Sequence, residues 1–328
     1  MRFLLPLLIL AALCWWFGFE PVAQALAHVS ARGLVLYLLL SALVVLGYAV
    51  RWRMVADAVG ARAPLRQLVA ARLAGNAVGA LVPSGKLAGD PVRITLARSG
   101  ASTVKTTAGV AIDRILEVIG NMLAAVAYVA VFCSLRGASA AGRAPLLLAV
   151  AMAVLLVATA VLVVRLRRGG QPFAWLYGDR ARRLAPRLET WMDGLRRVEE
   201  DVGHFFHHHP RTFVLGVLGS LLIEALTVLQ YHALVSAFGV QLDLPTLLLV
   251  LLAGGAAHAV PAPAALGTLE AAQVAAVGAA TGRPDLGFVV GVIVRLHETL
   301  LLGLGLAVLS YQGVSLARLR LASPRAGA

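Results

Sequence analysis

Residues 75–117 read GNAVGALVPSGKLAGDPVRITLARSGASTVKTTAGVAIDRILE, and this stretch holds the pattern that decides the fold. A short apolar run broken by glycines leads to a polar turn at 83–85, and a second short arm follows. The long apolar segment after that arm carries Asp113, Arg114 and Glu117. A charge near the centre of a bilayer costs at least about 2.5 kcal/mol, so charges in such a segment predict partners and a function.

The composition indicates that the solvent around most of this chain is lipid. Of the 328 residues 60% are hydrophobic, and several apolar runs are long enough to cross a hydrocarbon core about 30 Å thick. We therefore predict an all-α, polytopic membrane protein with a single transmembrane domain over residues 1–328. About six spanning helices and two re-entrant helical hairpins are expected. The first apolar run, residues 3–19, resembles a signal peptide, but its length favours a retained helix.

The basic residues indicate how the chain is oriented in the membrane. The net charge is +13, yet the lysines and arginines stand between apolar spans, where the positive-inside rule places them. The span over residues 33–50, for example, is expected to stop at Arg51-Trp52-Arg53, an aromatic and basic boundary of the kind found at the cytoplasmic interface. This distribution predicts cytoplasmic N- and C-termini in a bacterial-type inner membrane, and it argues against nucleic acid as a partner. Two cysteines, Cys14 and Cys133, are too few for a disulfide framework or a metal site.

Two regions, residues 63–98 and 246–281, consist of short, glycine-bearing apolar arms with a few polar residues, joined at proline-containing turns. Each is predicted to be a re-entrant hairpin, which is tolerated only where protein or water covers its backbone. They belong to two repeat cores, residues 33–133 and 212–311, joined by an amphipathic cytoplasmic segment over 166–211. Free N–H groups at a hairpin turn attract an anion such as a phosphate, and a simple capped turn is the alternative. The turns are expected at Pro83, Ser84 and Gly85 and at Pro263, Gly267 and Thr268.

The two repeat cores share a spacing of charged residues. The separation from Asp90 to Arg114 is almost the same as the separation from Glu270 to Arg295. Each arginine is followed three residues later by a glutamate, so the two charges share a helix face and can pair. With a cytoplasmic N-terminus, the two arginine helices cross the bilayer in opposite directions. The sequence therefore predicts an inverted-topology repeat, an arrangement typical of transporters that alternate access around one site.

The histidines occur in two settings. His204 and the run 207–209 lack an acidic or cysteine set at ligand spacing, so a surface cluster is favoured over a metal site. His258 and His297 lie near the charged segments, where protonation could couple transport to a proton gradient or where each could be a packed, hydrogen-bonded residue. The sequence contains no phosphate-binding loop of the ATPase type, and no cofactor is expected.

Short motifs in both repeat cores resemble those of a known family. They are residues 75–83, residues 89–93, Asp113-Arg114 with Glu117, and ALGTLE at 265–270. Together they resemble the flippase-like membrane family related to the transmembrane domain of lysylphosphatidylglycerol synthases, over nearly the whole chain. The resemblance implies translocation of lipids with polar headgroups: aminoacylated phospholipids, or isoprenoid and hopanoid lipids in stand-alone relatives. Because the chain ends at Ala328 without the soluble aminoacyl-transfer domain of the synthases, we expect a transporter and not an enzyme.

The favoured hypothesis is a flippase in which the headgroup crosses a polar cleft between the repeats while the lipid tails stay in the bilayer. The alternative role for the same charges is to lock helices together through ion pairs. The basic candidates for the lipid phosphate are Lys86, Arg93, Arg114 and Arg295. The acidic candidates for a cationic headgroup or for protons are Asp113, Glu117, Glu224 and Glu298, and Asp90 and Glu270 belong to the same predicted site.

Two other functions remain open. Undecaprenyl pyrophosphate phosphatases also pair two oppositely facing re-entrant hairpins with acidic and arginine residues, so an intramembrane enzyme acting on a polyprenyl phosphate is one alternative. Those enzymes carry a serine-rich, histidine-bearing turn, whereas residues 83–87 contain one serine and no histidine. A secondary transporter of a small solute is the other alternative, because the sequence does not distinguish a path open sideways to lipid from one enclosed by helices. The oligomeric state is left open.

Overall fold

The fold is all-helical in the part of the chain that the structure, a computed structural model, describes: residues 29–82, 85–137, 143–178, 189–259 and 267–313, with positions 20, 23, 27 and 265. These ranges contain ten α-helices, two short 3-10 helices over Gly85–Gly89 and Ala174–Leu176, and no strand. In chain order the helices are α1 Ala31–Ala58, α2 Leu65–Leu81, α3 Asp90–Ala97, α4 Thr103–Arg136, α5 Arg143–Arg167, α6 Glu189–His208, α7 Pro210–Ala237, α8 Leu244–Ala259, α9 Thr268–Thr281 and α10 Pro284–Tyr311.

Five of the helices are long and apolar enough to cross a membrane, namely α1, α4, α5, α7 and α10. Their outward faces carry exposed leucine and valine side chains, as at Leu147, Val150 and Val154 on α5, and such faces suit contact with lipid. These helices confirm a multi-pass membrane protein. The predicted first helix over residues 3–19 lies outside the described residues.

The first predicted hairpin consists of α2, a 3-10 helix and α3. With 17 and 8 residues, α2 and α3 are about 25 Å and 12 Å long, so α3 in particular is too short to cross the bilayer. The two arms touch where Gly75 faces Gly89, because a Cβ atom added to Gly89 would lie 2.0 Å from the Gly75 carbonyl oxygen. Gly85 begins the 3-10 helix, whereas Pro83, Ser84 and the side chain of Lys86 lie outside the described residues.

The second predicted hairpin consists of α8 and α9, which pack against each other. They contain 16 and 14 residues, which makes both shorter than the hydrocarbon core. Gly267 has a φ of 75° and directly precedes α9, and its N–H donates to the Glu270 side chain at 3.0 Å. Thr268 begins the helix, while the expected turn residue Pro263 lies outside the described residues.

The two predicted repeat cores, residues 33–133 and 212–311, pack in a crossed manner. Helix α1 lies along α7, while α2 packs on α10 and α4 packs on α8. The first arm of each predicted hairpin therefore contacts the long charged helix of the other core. The approach of α2 to α10 is close at Gly305, where an added Cβ atom would lie 2.3 Å from the Leu73 carbonyl oxygen. If the two cores are exchanged, the contact of α1 with α7 stays the same, and the contact of α2 with α10 becomes that of α8 with α4.

Helix α6 is the predicted amphipathic segment, and it packs against α4 and α5. Glu199 lies on the buried face, where it accepts hydrogen bonds from the backbone N–H of Phe173 at 2.9 Å and from the hydroxyl of Tyr177. Burial and this hydrogen bond raise the pKa of Tyr177 above its ordinary value. The apolar residues that α6 buries are Met192, Val202, Phe205 and Phe206.

One sequence interpretation, the end of the helix over residues 33–50, is wrong. Arg51, Trp52 and Arg53 are expected to form an aromatic and basic boundary at the membrane surface, yet α1 continues to Ala58. Arg51 and Trp52 are only 2% and 1% exposed, while Arg53 alone of the three is open and pairs with Asp57. The physical reason is a buried acidic partner for Arg51, described below.

Candidate functional site

Three arginines converge on Asp113 inside the helical bundle. Asp113 is fully buried on α4, and its Oδ1 atom accepts hydrogen bonds from Arg51 Nη2 at 2.8 Å and from Arg51 Nε at 3.0 Å. Its Oδ2 atom accepts from Arg93 Nη2 at 2.5 Å and from Arg72 Nη1 at 3.3 Å. Arg51 also donates to the Ser220 hydroxyl on α7 at 2.8 Å, so this charge network joins the two repeat cores.

A fourth arginine extends the network toward the first hairpin. Arg114 pairs with Asp90 at 2.6 Å and with Glu117 at 3.2 Å, and Glu117 also pairs with Arg72 at 3.0 Å. The pairing of Arg114 with the glutamate three residues later is the contact that the sequence spacing predicts. We call Arg51, Arg72, Arg93, Arg114, Asp90, Asp113 and Glu117 the first cluster. It has four arginines against three carboxylates, and a buried charge of this kind is tolerated because every member is paired.

A second charged group surrounds Arg295 on α10. Arg295 Nε donates to Glu270 at 2.8 Å, and Arg295 Nη1 donates to Glu298 at 2.9 Å. Its Nη2 atom donates to the backbone carbonyl of Ala265 at 3.1 Å. His258 Nε2 lies 3.0 Å from the other oxygen of Glu298. We call Arg295, Glu270, Glu298 and His258 the second cluster.

The same three-residue arrangement occurs in both clusters. In each, an arginine on a long helix pairs with an acid from the short second arm of a hairpin and with a glutamate three residues later on its own helix. The two clusters differ in burial. Glu117 is 3% exposed in the first cluster, whereas Glu298 is 22% exposed in the second. The glutamate of the second cluster is therefore more exposed than the glutamate of the first.

Polar side chains continue between the two clusters. The Arg72 guanidinium lies 3.7 Å from the centre of the Tyr48 ring, and Tyr48 is close enough to Glu117 and Glu224 for their charges to act on it. Tyr231 is close enough to Glu224 and Glu298 for the same effect. Tyr48, Glu224 and Tyr231, on helices α1 and α7, are therefore polar groups in the region between the two clusters, and we call these three residues the polar path.

Glu224 has its own partners on α4. The Tyr128 hydroxyl donates to Glu224 Oε2 at 3.3 Å, and with its amide oriented to donate, Asn121 reaches Glu224 Oε1 at 2.9 Å. Asp113, Glu117 and Asn121 form a stripe on α4 at a spacing of four residues, and the structure divides this stripe. Its first two members lie in the first cluster, and Asn121 lies on the polar path.

The structure gathers most of the predicted site residues into these two clusters and the path between them. Sequence reasoning missed Arg51 and Arg72. Arg72 gave a detectable signal, because an arginine inside an apolar 17-residue arm needs a partner. Arg51 gave no such signal, because the sequence does not distinguish it from Arg53, an arginine two residues later that is exposed. Arg93 binds Asp113 and stacks 4.3 Å from the centre of a Trp52 ring.

The histidines of α6 stack on one another, with the His204 and His208 ring centres 4.0 Å apart. His297 is buried in the bundle, where its Nδ1 atom lies 2.5 Å from the Tyr37 hydroxyl. Among the described residues, no group of three or more histidine, cysteine, aspartate or glutamate side chains has a geometry that could hold a metal ion.

The fold and the site define a multi-pass helical membrane protein with ion-paired charges inside its apolar bundle. Residues 3–305 match the sequence model of a family described as the lysylphosphatidylglycerol synthase TM region. The chain belongs to this family, as its short motifs predict. Family membership links this membrane protein to the handling of lipids. A search of curated proteins finds no match to the chain.

Proposed function

We propose that this protein is a lipid flippase or transporter that moves a polar-headgroup lipid across or out of the inner membrane. The lipid is of the aminoacyl-phospholipid, isoprenoid or hopanoid type. The observation that carries the proposal is the pair of matched charge clusters inside an apolar helical bundle, with the polar path of Tyr48, Glu224 and Tyr231 between them. This path runs between helices whose outward faces are apolar.

The physical problem in lipid translocation is the headgroup. A charge moved through hydrocarbon loses its hydration, which costs several kcal/mol or more unless other polar groups replace the water. Arginines and carboxylates spaced along a path supply such groups, while the lipid tails need no replacement because hydrocarbon already surrounds them. A cleft between the two repeat cores, open sideways to the bilayer, meets both requirements.

The exposed members of each cluster make the first contact with a headgroup. Arg114 and Asp90 are partly exposed in the first cluster, and Glu298 and His258 are the open members of the second. Arg114 and Arg295 attract the phosphate, and the acids Glu224 and Glu298 attract a cationic group if the lipid has one. The fully buried Asp113 holds its arginines in position and does not contact the lipid in this proposal.

The crossed packing of the two cores supports an inverted-topology repeat with two re-entrant hairpins. Exchange of the cores maps α2 on α10 onto α8 on α4, which is the relation that a two-fold axis in the membrane plane produces. Alternating access then proceeds by movement of one core against the other. The excess of basic residues between the apolar spans favours cytoplasmic termini.

We also propose that the chain transports lipid without changing it chemically. The test is translocation of a fluorescent phosphatidylglycerol and its lysyl ester in vesicles containing the purified protein, with a membrane-impermeant quencher added outside. Glu298→Gln and Arg295→Ala are expected to lower the rate about tenfold or more, which corresponds to at least about 1.4 kcal/mol. Glu200→Gln, an exposed change on α6, is the control and should translocate at the wild-type rate.

Folding of each variant is checked by size-exclusion chromatography and circular dichroism before its rate is interpreted. Wild-type rates in well-folded Glu298→Gln and Arg295→Ala would remove the second cluster from the mechanism. Release of phosphate or another product from the lipid during the assay would contradict a purely transporting role.

A further inference from the structure

The two ring nitrogens of His258 both face oxygen atoms that accept hydrogen bonds. Nδ1 lies 2.8 Å from the backbone carbonyl oxygen of Gly254, and Nε2 lies 3.0 Å from Oε1 of Glu298. A carbonyl oxygen can only accept, so Nδ1 must carry a proton. A neutral imidazole has one N–H, which leaves a bare Nε2 lone pair facing a carboxylate. The observed contact therefore requires one further proton between Nε2 and Oε1.

We propose that His258 and Glu298 form a proton-binding site, and that this proton is exchanged for the cationic part of the transported headgroup. The exchange rests on the proposed transport function, whereas the binding of the proton by the pair does not. The proton is shared either as an imidazolium and a carboxylate or as a neutral imidazole and a carboxylic acid. In both forms its loss leaves two electron-rich atoms in contact.

The groups around the pair determine what the loss of the proton does. Glu298 is held on its other oxygen by Arg295, which also binds Glu270 on α9. With the proton bound, the two acids of the second cluster are balanced by Arg295 and by the proton itself. Without it, the cluster carries one excess negative charge. Such a charge attracts a cation, so a cationic headgroup and a proton compete for Glu298.

Helices α4 and α7 also pack against α8, and their charged and titratable groups bear on His258 as follows. On α7, Tyr231 lies near both Glu298 and Glu224. On α4, Arg136 pairs with Asp243, which stands at the opposite end of α8 from His258. The titratable and charged groups seen to interact with Glu298 or with its direct partners are Arg295, Glu270, Tyr231, Glu224 and the buried His297 next to Glu298.

The pair is not enclosed by the helical bundle. His258 is 45% exposed and Glu298 is 22% exposed, whereas Arg295 and Glu270 are buried beneath them. A proton and a headgroup can therefore reach the same carboxylate from the same opening. The described members of the first cluster include no histidine, so the two clusters differ in their response to pH.

Proton sharing is tested directly by nuclear magnetic resonance of the full chain in micelles, with 15N-labelled histidine. The His258 signal is assigned by its absence in His258→Gln. In Glu298→Gln the titration midpoint of His258 should fall by about one pH unit, because the carboxylate no longer stabilises the imidazolium. Glu298→Asp keeps the charge and should give an intermediate midpoint, and Glu200→Gln on α6 should leave it unchanged. An unchanged midpoint in Glu298→Gln would overturn the shared proton.

Proton exchange is tested by the pH dependence of translocation, with lysyl-phosphatidylglycerol and phosphatidylglycerol as separate probes at low lipid fraction. The wild-type rate for the lysyl lipid should rise several-fold between about pH 5.5 and about pH 8, since loss of the proton opens Glu298 to the cation. Phosphatidylglycerol, which lacks the cation, should show no such rise. His258→Gln should flatten the lysyl-lipid profile to less than about twofold, while His204→Gln on α6 should keep the wild-type profile.

The outcomes separate the two proposals. Translocation that is active but independent of pH in the wild type would overturn proton exchange and leave the transport function intact. Absence of translocation of either lipid would overturn the transport function, and the histidine titration would then still decide whether the pair binds a proton.

Discussion

Asp90 and Arg114 form a 2.6 Å ion pair between two helices that a polar loop separates in the chain. Glu270 and Arg295 form the corresponding 2.8 Å pair in the second core. Each pair fixes the short second arm of a hairpin to the long helix that follows. The predicted hairpins are therefore held by charge as well as by apolar packing. In the proposed transport function, a headgroup that competes for one of these arginines would also act on the position of the hairpin.

Reversing the pair of Asp90 and Arg114 tests its role in transport. Arg114→Asp or Asp90→Arg alone places like charges in contact, and each should lower translocation of phosphatidylglycerol about tenfold, equivalent to about 1.4 kcal/mol. The double exchange should recover part of the rate, because the attraction returns. Recovery stays incomplete, since Glu117 also binds Arg114. A double exchange no better than the worse single variant would contradict a direct contribution of the pair.

Asp113→Ala should destabilise the protein strongly. The change leaves the buried Arg51, Arg72 and Arg93 without the carboxylate that all three bind, and removing one partner from a buried charge network costs about 3–5 kcal/mol. Denaturant unfolding in micelles measures the free energy of unfolding. Arg53→Ala, which removes a half-exposed pair with Asp57, is the control and should change that free energy by less than about 1 kcal/mol.

Gly89→Ala should disrupt the first hairpin. Its Cβ atom would meet the Gly75 carbonyl oxygen at 2.0 Å, and because backbone is on the other side, one arm must move away at a cost of about 1–3 kcal/mol. The matched change is Gly255→Ala on α8, where the added Cβ atom has no neighbour within 4 Å. That variant should be more stable than wild type by about 0.5–1 kcal/mol. Equal melting temperatures for the two variants would contradict the close contact of the hairpin arms.

The loop before α8 should contribute stability that depends on pH. Burial alone raises the pKa of Asp243, but the neighbouring Thr246 and the Arg136 guanidinium, which donates to the carboxylate, outweigh it and hold the pKa below its ordinary value. A lowered pKa in the folded state means that the contribution is present above the unfolded pKa of about 3.9 and is lost as the pH falls below it. In Asp243→Asn the melting temperature should therefore fall less than in wild type between about pH 5 and pH 3. Asp285→Asn, in an exposed pair with Arg283, provides a comparison outside this loop.

The sequence predicted well the features that depend on local spacing. The thickness of the bilayer sets the length that a spanning helix needs, so the apolar runs predict spans directly, and five helices among the described residues are long and apolar enough to cross. The pairing of Arg114 with Glu117 and of Arg295 with Glu298 follows from a separation of three residues on one helix. These contacts need no knowledge of how the helices pack.

Contacts between helices were harder to predict. Asp113 takes its partners from α1, α2 and α3, and the sequence does not show which face of each helix turns toward α4. Arg51 and Arg53 are two residues apart, so they point to different sides of α1, and only packing against α4 and α7 determines which one is buried. The roles of Tyr48 and Tyr231 depend on the same packing, because each lies between charges that belong to different helices.

The crossed packing of α2 on α10 and of α4 on α8 has a consequence for leakage. Since the hairpin of each core rests on the long helix of the other, neither core can tilt without displacing its counterpart. For the proposed transporter, we expect the cytoplasmic and the outer end of the cleft to open in opposite senses, so that a conformation open at both ends is sterically excluded. Large headgroups would then cross while the ion gradients of the cell are preserved.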